Sequence, residues 1–161
     1  MTSDQAGTGA FRRIVVGVDG SPSSRCALVW AARFAMATNA EIIAVHAMDK
    51  PAFVDGEPEV GGSPISEDVR IAWKEWRADT ERVLAEGWCI PLRQARVPYR
   101  AETVDGGPRG LLGLANHQHA DAIVVGRRGR SGLAELVLGS FSHHLVHHSS
   151  RPVIVVPQES E

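Results

Sequence analysis

The sequence predicts an α/β fold built on a parallel sheet, and three observations point there. Short β-branched apolar runs recur along the chain, helix-periodic segments separate them, and the runs are continuous, as in strands buried on both faces. Strand, helix, strand, helix in succession calls for right-handed crossovers and helices on both faces of the sheet. In such sheets ligands bind beyond the carboxyl ends of the strands, where strand order reverses.

The elements follow in order. Ile14-Val15-Val16-Gly17-Val18 reads as the first strand. It ends at Asp19-Gly20-Ser21-Pro22, where Ser21 suits a helix cap and Pro22 the first turn. The helix then carries Leu28, Val29, Ala32, Phe34, Ala35 and Met36 to about Thr38. Glu41 to Ala47 is the second strand. Asp49 to Ser66, with Pro51, Pro58, Pro64 and three glycines, reads as a long irregular excursion: a lid, a partner surface or an inert loop. From Ser66 to about Glu86 a charged amphipathic helix places Val69, Trp73, Trp76, Thr80, Val83 and Leu84 on one face. The two tryptophans fit core or subunit packing better than a stacking platform for a ligand. Residues 87–98 fit neither period. Tyr99 to Val104 alternates more, as a strand nearer an edge does, and Asp105-Gly106-Gly107-Pro108 turns into a short helix with Leu111, Leu112, Leu114 and Ala115. Ala122-Ile123-Val124-Val125 is the fourth strand, Leu136 to Val146 a helix, and Val153 to Val156, between Pro152 and Pro157, the last strand.

Composition narrows the function classes. The chain has 161 residues, 43% apolar and 22% charged, which suits one globular domain over residues 11–157 with tails at 1–10 and 158–161 lacking fixed structure. A formal net charge of −2 provides no global field for nucleic acid or an anionic membrane, so neither is expected as a partner. Cys26 and Cys89 share no CxxC spacing and read as buried thiols of a reducing compartment. With no apolar stretch long enough to span a bilayer and a polar start, the cytoplasm is the expected location.

The most informative segment is a ladder of glycines: Gly126-Arg127-Arg128-Gly129, then Gly139-Ser140. It links a strand end to a helix start, where backbone N–H groups converge and the helix dipole contributes about half a positive charge. With Arg127, Arg128 and Arg130 in the same turn, the expected guest carries phosphate. Asp19 follows the first strand directly, so it belongs to the same rim of the sheet. Walker and dinucleotide patterns are both missing: there is no GxxxxGK[ST], and Gly17-Val18-Asp19-Gly20 lacks a third glycine.

What does fit is G-x2-G-x9-G-[ST], filled by Gly126, Gly129, Gly139 and Ser140. Together with Ile14 through Ser21 and with Leu138 through Pro157, this pattern resembles the universal stress protein family over residues 12–157. The resemblance implies the ATP-binding branch of that family and an open five-stranded parallel sheet of order 3-2-1-4-5, Rossmann-like and akin to the adenine nucleotide alpha hydrolases. It implies that Gly17, Val18 and Asp19 lie beside the adenosine, with Asp19 at the ribose, and that Ala47 offers backbone groups to the adenine edge. Val125 and Gly126 would line the ribose and phosphate entrance, Arg128 and Gly129 would approach the phosphates, and Gly139, Ser140, Phe141 and Ser142 would bind them from the helix start. It further implies a stress-response sensor or regulator, dimeric through the last strands, with ATP as cofactor and Mg or Mn held by its phosphates. Arg128 stands where some members carry histidine, so a phosphate grip replaces any proton shuttle. Cyclic AMP or another adenine nucleotide is the alternative guest.

No catalytic residue is expected. There is no nucleophile–base pair, and nothing positions an attacking water, so ATP hydrolysis is slow or absent. His143, His144, His147 and His148 form two i, i+4 pairs of a spacing that can bind zinc or nickel, but no carboxylate or cysteine completes a shell, so a partly exposed helix face is expected and no metal site. His46 reads as a satisfied core histidine, His117 and His119 as loop residues, and Arg77, Asp79, Glu81, Arg82 and Glu86 as a solvated face. At the edge of a 3-2-1-4-5 sheet, Val153-Ile154-Val155-Val156 would invite pairing with a second copy, within limits set by the flanking prolines.

Overall fold

The computed structural model describes residues 11–49, 66–128 and 138–158. Its centre is a five-stranded parallel sheet of order β3-β2-β1-β4-β5, as expected. The strands are β1 (Arg13–Gly17), β2 (Glu41–Met48), β3 (Tyr99–Asp105), β4 (Ala122–Gly126) and β5 (Val153–Val156). The helices are α1 (Pro22–Thr38), α2 (Glu67–Val83), α3 (Ile90–Ala95), α4 (Gly107–His117) and α5 (Ser140–His148).

The pleat of β1 divides the core. Ile14 and Val16 point to one face, where they pack with Ala27, Leu28, Ala31 and Ala35 of α1 and Leu92 of α3. Val15 points to the other, against Leu111 and Ala115 of α4 and Leu145 of α5. Each such aliphatic side chain removed from water contributes about 1.5–3 kcal/mol, so the continuous apolar runs of β1, β2 and β4 are the largest local source of stability. The parallel register sets Ile14 opposite Ile42 of β2 and Ala122 of β4. Both edges are more exposed: every residue of β3 is half-buried, and only Val156 of β5 is fully buried.

Two regions depart from the sequence reading. The helix expected to reach Glu86 ends as α2 at Val83 and passes into one wider π-helical turn, Leu84–Trp88, in which the Cys89 N–H donates to the Leu84 carbonyl at 3.1 Å. The extra residue in that turn brings Leu84, Cys89 and Leu92 into the core together, which a 3.6-residue period does not do. This resolves the aperiodic stretch 87–98. The second departure is α2 itself, which buries no residue. Trp76 is 49% exposed and Val69 41%, while Trp73 and Trp76 pack on one another with ring centroids 4.8 Å apart. Beside an edge strand there is only a rim to cover, and α2 grips it by polar contacts. The Arg77 guanidinium donates to both carboxylate oxygens of Asp105 at 2.8 and 2.9 Å, and the Thr103 hydroxyl donates to Glu81 at 2.6 Å.

The expected helix from Leu136 starts at Ser140, after Gly139 in extended backbone; residues 136 and 137 lie outside the described residues. The irregular excursion falls almost wholly outside them too. Among the described residues no helix is long and apolar enough to cross a membrane.

Candidate functional site

The carboxyl ends of β1, β2 and β4 meet beside the point where strand order reverses, and a cavity of about 240 Å³ opens there. Beyond β1 the Val18 N–H donates to the Val45 carbonyl at 2.8 Å, which ties the strand end to β2. Asp19 follows, and its Oδ1 accepts the Ser21 N–H at 2.9 Å, so the carboxylate closes its own turn. Ser21 then caps α1: its Oγ accepts the Ser24 N–H at 3.1 Å, and the Ser24 hydroxyl donates back to the Ser21 carbonyl at 3.0 Å. Gly20, at φ +78°, lies against the Trp88 indole so closely that a Cβ would stand 2.5 Å from ring atoms.

Next to β1, β4 ends at Gly126. A Cβ there would fall 2.5 Å from Ser23 Oγ and 2.6 Å from the Ser23 carbonyl carbon and oxygen. Only glycine lets β4 run this close to the first turn of α1. The Arg128 N–H then donates to Ser23 Oγ at 3.2 Å, setting the direction in which the chain leaves the sheet. Across the gap, the Gly139 N–H donates to the Arg127 carbonyl at 2.9 Å and the Ser142 hydroxyl to the Gly126 carbonyl at 2.7 Å. These two bonds dock the start of α5 against the end of β4. A helix leaves its first N–H groups without intrahelical partners, and Phe141 and Ser142, in that first turn, line the cavity.

Of the residues expected at a site, the fold gathers Gly17, Val18, Asp19, Ala47, Val125, Gly126, Arg128, Phe141 and Ser142 around this one cavity. Gly139 and Ser140 sit at the α5 cap beside it without lining it, and Gly129 lies outside the described residues. Ser142 is buried with its hydroxyl proton given to Gly126, so its role in the fold is to hold α5 in place.

Ser24, Val45 and His46 also line the cavity, and sequence reasoning did not place them there. His46 is half-buried rather than a core residue. Its Nδ1 lies 2.7 Å from the Val18 carbonyl, an acceptor only, so Nδ1 carries the proton. Its ring meets Trp88 edge-on with centroids 5.1 Å apart. The signal was present in the sequence: a polar residue one position before Ala47, at a strand end already assigned to the rim. Ser24 is a helix residue, brought to the site by the cap of α1.

Comparison with known proteins agrees with this architecture. The model of the universal stress protein family matches residues 10–157. The chain is 28% identical over 151 residues to Universal stress protein MJ0531 of Methanocaldococcus jannaschii, covering 93% of this chain and 84% of that one. It is 33% identical over 155 residues to Universal stress protein Rv1996 of Mycobacterium tuberculosis, covering 91% of this chain but only 44% of the relative, less than half its length. Among solved structures, a universal stress protein in complex with cAMP superposes with a TM-score of 0.67 at 27% identity, over 94% of this chain and all of the other. With the strand order, the rim cavity and the family match in agreement, the chain belongs to the universal stress protein family.

Proposed function

We propose that this chain binds an adenine nucleotide, ATP first among them, and acts as a cytoplasmic, homodimeric sensor or regulator in a stress response. One observation carries the reading: the rim cavity is lined by an acidic residue, Asp19, a basic one, Arg128, and two residues of the first turn of α5, Phe141 and Ser142. A carboxylate suits ribose hydroxyls as an acceptor, while a guanidinium and helix N–H groups suit phosphate. The apolar part of the lining, Val18, Ala47, Val125 and Phe141 among it, suits a flat base. Among the described residues Asp19 is the one carboxylate in the lining, and on this reading Mg or Mn would be held chiefly by the phosphates. The dimer contact would run through β5, whose outer edge pairs with no strand among the described residues.

Cyclic AMP is the second reading, favoured by the cAMP complex of the 27% identical neighbour. Calorimetric titration with ATP, AMP and cAMP separates the two: ATP binds tightest on the first reading, and tighter cAMP binding would replace it by the second. Asp19→Ala removes an acceptor for sugar hydroxyls and should weaken ATP binding about tenfold or more, as loss of a hydrogen bond to a charged group does. Unchanged affinity in both Asp19→Ala and Gly139→Val would move the pocket elsewhere. Phosphate release no faster than from a Gly129→Val control is expected, and faster release would make the protein an ATPase.

A further inference from the structure

The solvent face of α5 presents four imidazoles in two helical pairs. His143 and His147 have ring centroids 4.3 Å apart, and His144 and His148 repeat the spacing at 4.3 Å. The inward side of the same helix buries Ser142 and Leu145, so the pairs take no part in the core. His143, His147 and His148 are exposed and His144 is half-buried. Unlike His46, whose Nδ1 is engaged by the Val18 carbonyl, these rings pack on one another. Side chains at i and i+4 leave a helix about 5–6 Å apart on one side, so rotation about the side-chain bonds alone brings two ring nitrogens to one ion at about 2.0–2.1 Å. Among the described residues no third His, Cys, Asp or Glu converges with them, which makes any such site two-coordinate from protein.

We propose that His143 and His147 form a bidentate clamp for a late first-row divalent ion such as Zn²⁺ or Ni²⁺, with water completing the shell. Neutral imidazole is the ligand these ions prefer at neutral pH, and a chelate across one helical turn costs no backbone rearrangement. The second pair is the weaker of the two. His144 is half-buried, whereas both rings of the first pair are exposed and open to an ion with its waters. The clamp closes over the turn that follows Phe141 and Ser142, so an ion bound there stiffens the helix whose first turn lines the rim cavity. It does not depend on the nucleotide reading.

The test is calorimetric titration of the full chain, without an affinity tag and without nucleotide, using Zn²⁺ alone. Saturable binding near one ion per chain is expected. His143→Ala with His147→Ala should weaken it about tenfold or more, as loss of both ligands demands, while His144→Ala with His148→Ala should change it by less than about threefold. Zinc should also raise the thermal midpoint of the parent chain and not of the first double variant. Far-UV circular dichroism of each variant, with the His→Gln pair as a second version, verifies that α5 is intact. Absence of saturable binding up to millimolar zinc, or equal binding after loss of His143 and His147, overturns the proposal.

Discussion

Gly126 shows how one residue ties sequence to site. Its missing side chain lets β4 lie against the first turn of α1, where a Cβ would meet the Ser23 backbone at 2.6 Å. Because the obstacle is backbone and not the end of a flexible side chain, relief requires moving α1 or β4. Gly126→Ala should therefore cost about 1–3 kcal/mol of stability, the range for overpacking a close-packed interior, as measured by urea denaturation. It should weaken nucleotide binding as well, since Arg128 is aimed through the same Ser23. His46 carries the opposite lesson. As a letter in a strand it reads as a core residue, and only its bond to the Val18 carbonyl and its place in the lining identify it as part of the wall. The difference is geometric, because which side of a strand end faces a crevice depends on its neighbours.

At the scale of elements, the start of α1 organises more than a helix. Ser21 Oγ caps it, the Asp19 carboxylate orders the turn before it, and Ser23 and Ser24 of its first turn meet β4 and the cavity. Ser21→Ala removes the cap and should destabilise the protein by about 1 kcal/mol, seen as a lower urea midpoint with unchanged slope. The cap was legible in the sequence from Ser21-Pro22 alone, since its chemistry is local. The π-helical turn was not. Leu84, Cys89 and Leu92 match no single period, and their shared burial, with Trp88 packed against them, is decided by the sheet they pack on. Likewise the amphipathic pattern of α2 was readable, but its burial was not. An apolar stripe states what a helix would bury, and the position of β3 at the sheet edge decides how much cover it finds.

For the whole molecule, Cys89 reports on global opening. It is fully buried, and burial pushes its thiol up from the ordinary 9.0 to about 11, against a weak opposing pull from Arg93. The folded state thus prefers the protonated thiol. The resulting stability is fully present below pH 9.0 and is lost as pH rises toward about 11, because the unfolded chain ionises first. Urea midpoints should accordingly fall across that alkaline window, and the fall should be smaller in Cys89→Ala. At neutral pH a thiol reagent should modify Cys89 only at the rate of unfolding, since the thiolate is the reactive form.

The sequence by itself determined the α/β class, the glycine ladder and the family resemblance, and with that resemblance the strand order and most of the residues gathered at the rim. These are written in local patterns: period, turn chemistry and the spacing of glycines. Tertiary structure decided the rest. It joined residues 17–19, 45–47 and 125–126 with Arg128, Phe141 and Ser142 into one cavity, drew in Ser24 and His46, and assigned Ser142 to docking α5. It also left the α2 face uncovered and set the histidines of α5 in facing pairs. The physical reason is common to all of these. A side chain's type fixes what it can bind, but what stands opposite it depends on segments more than a hundred positions away, joined only when the sheet forms.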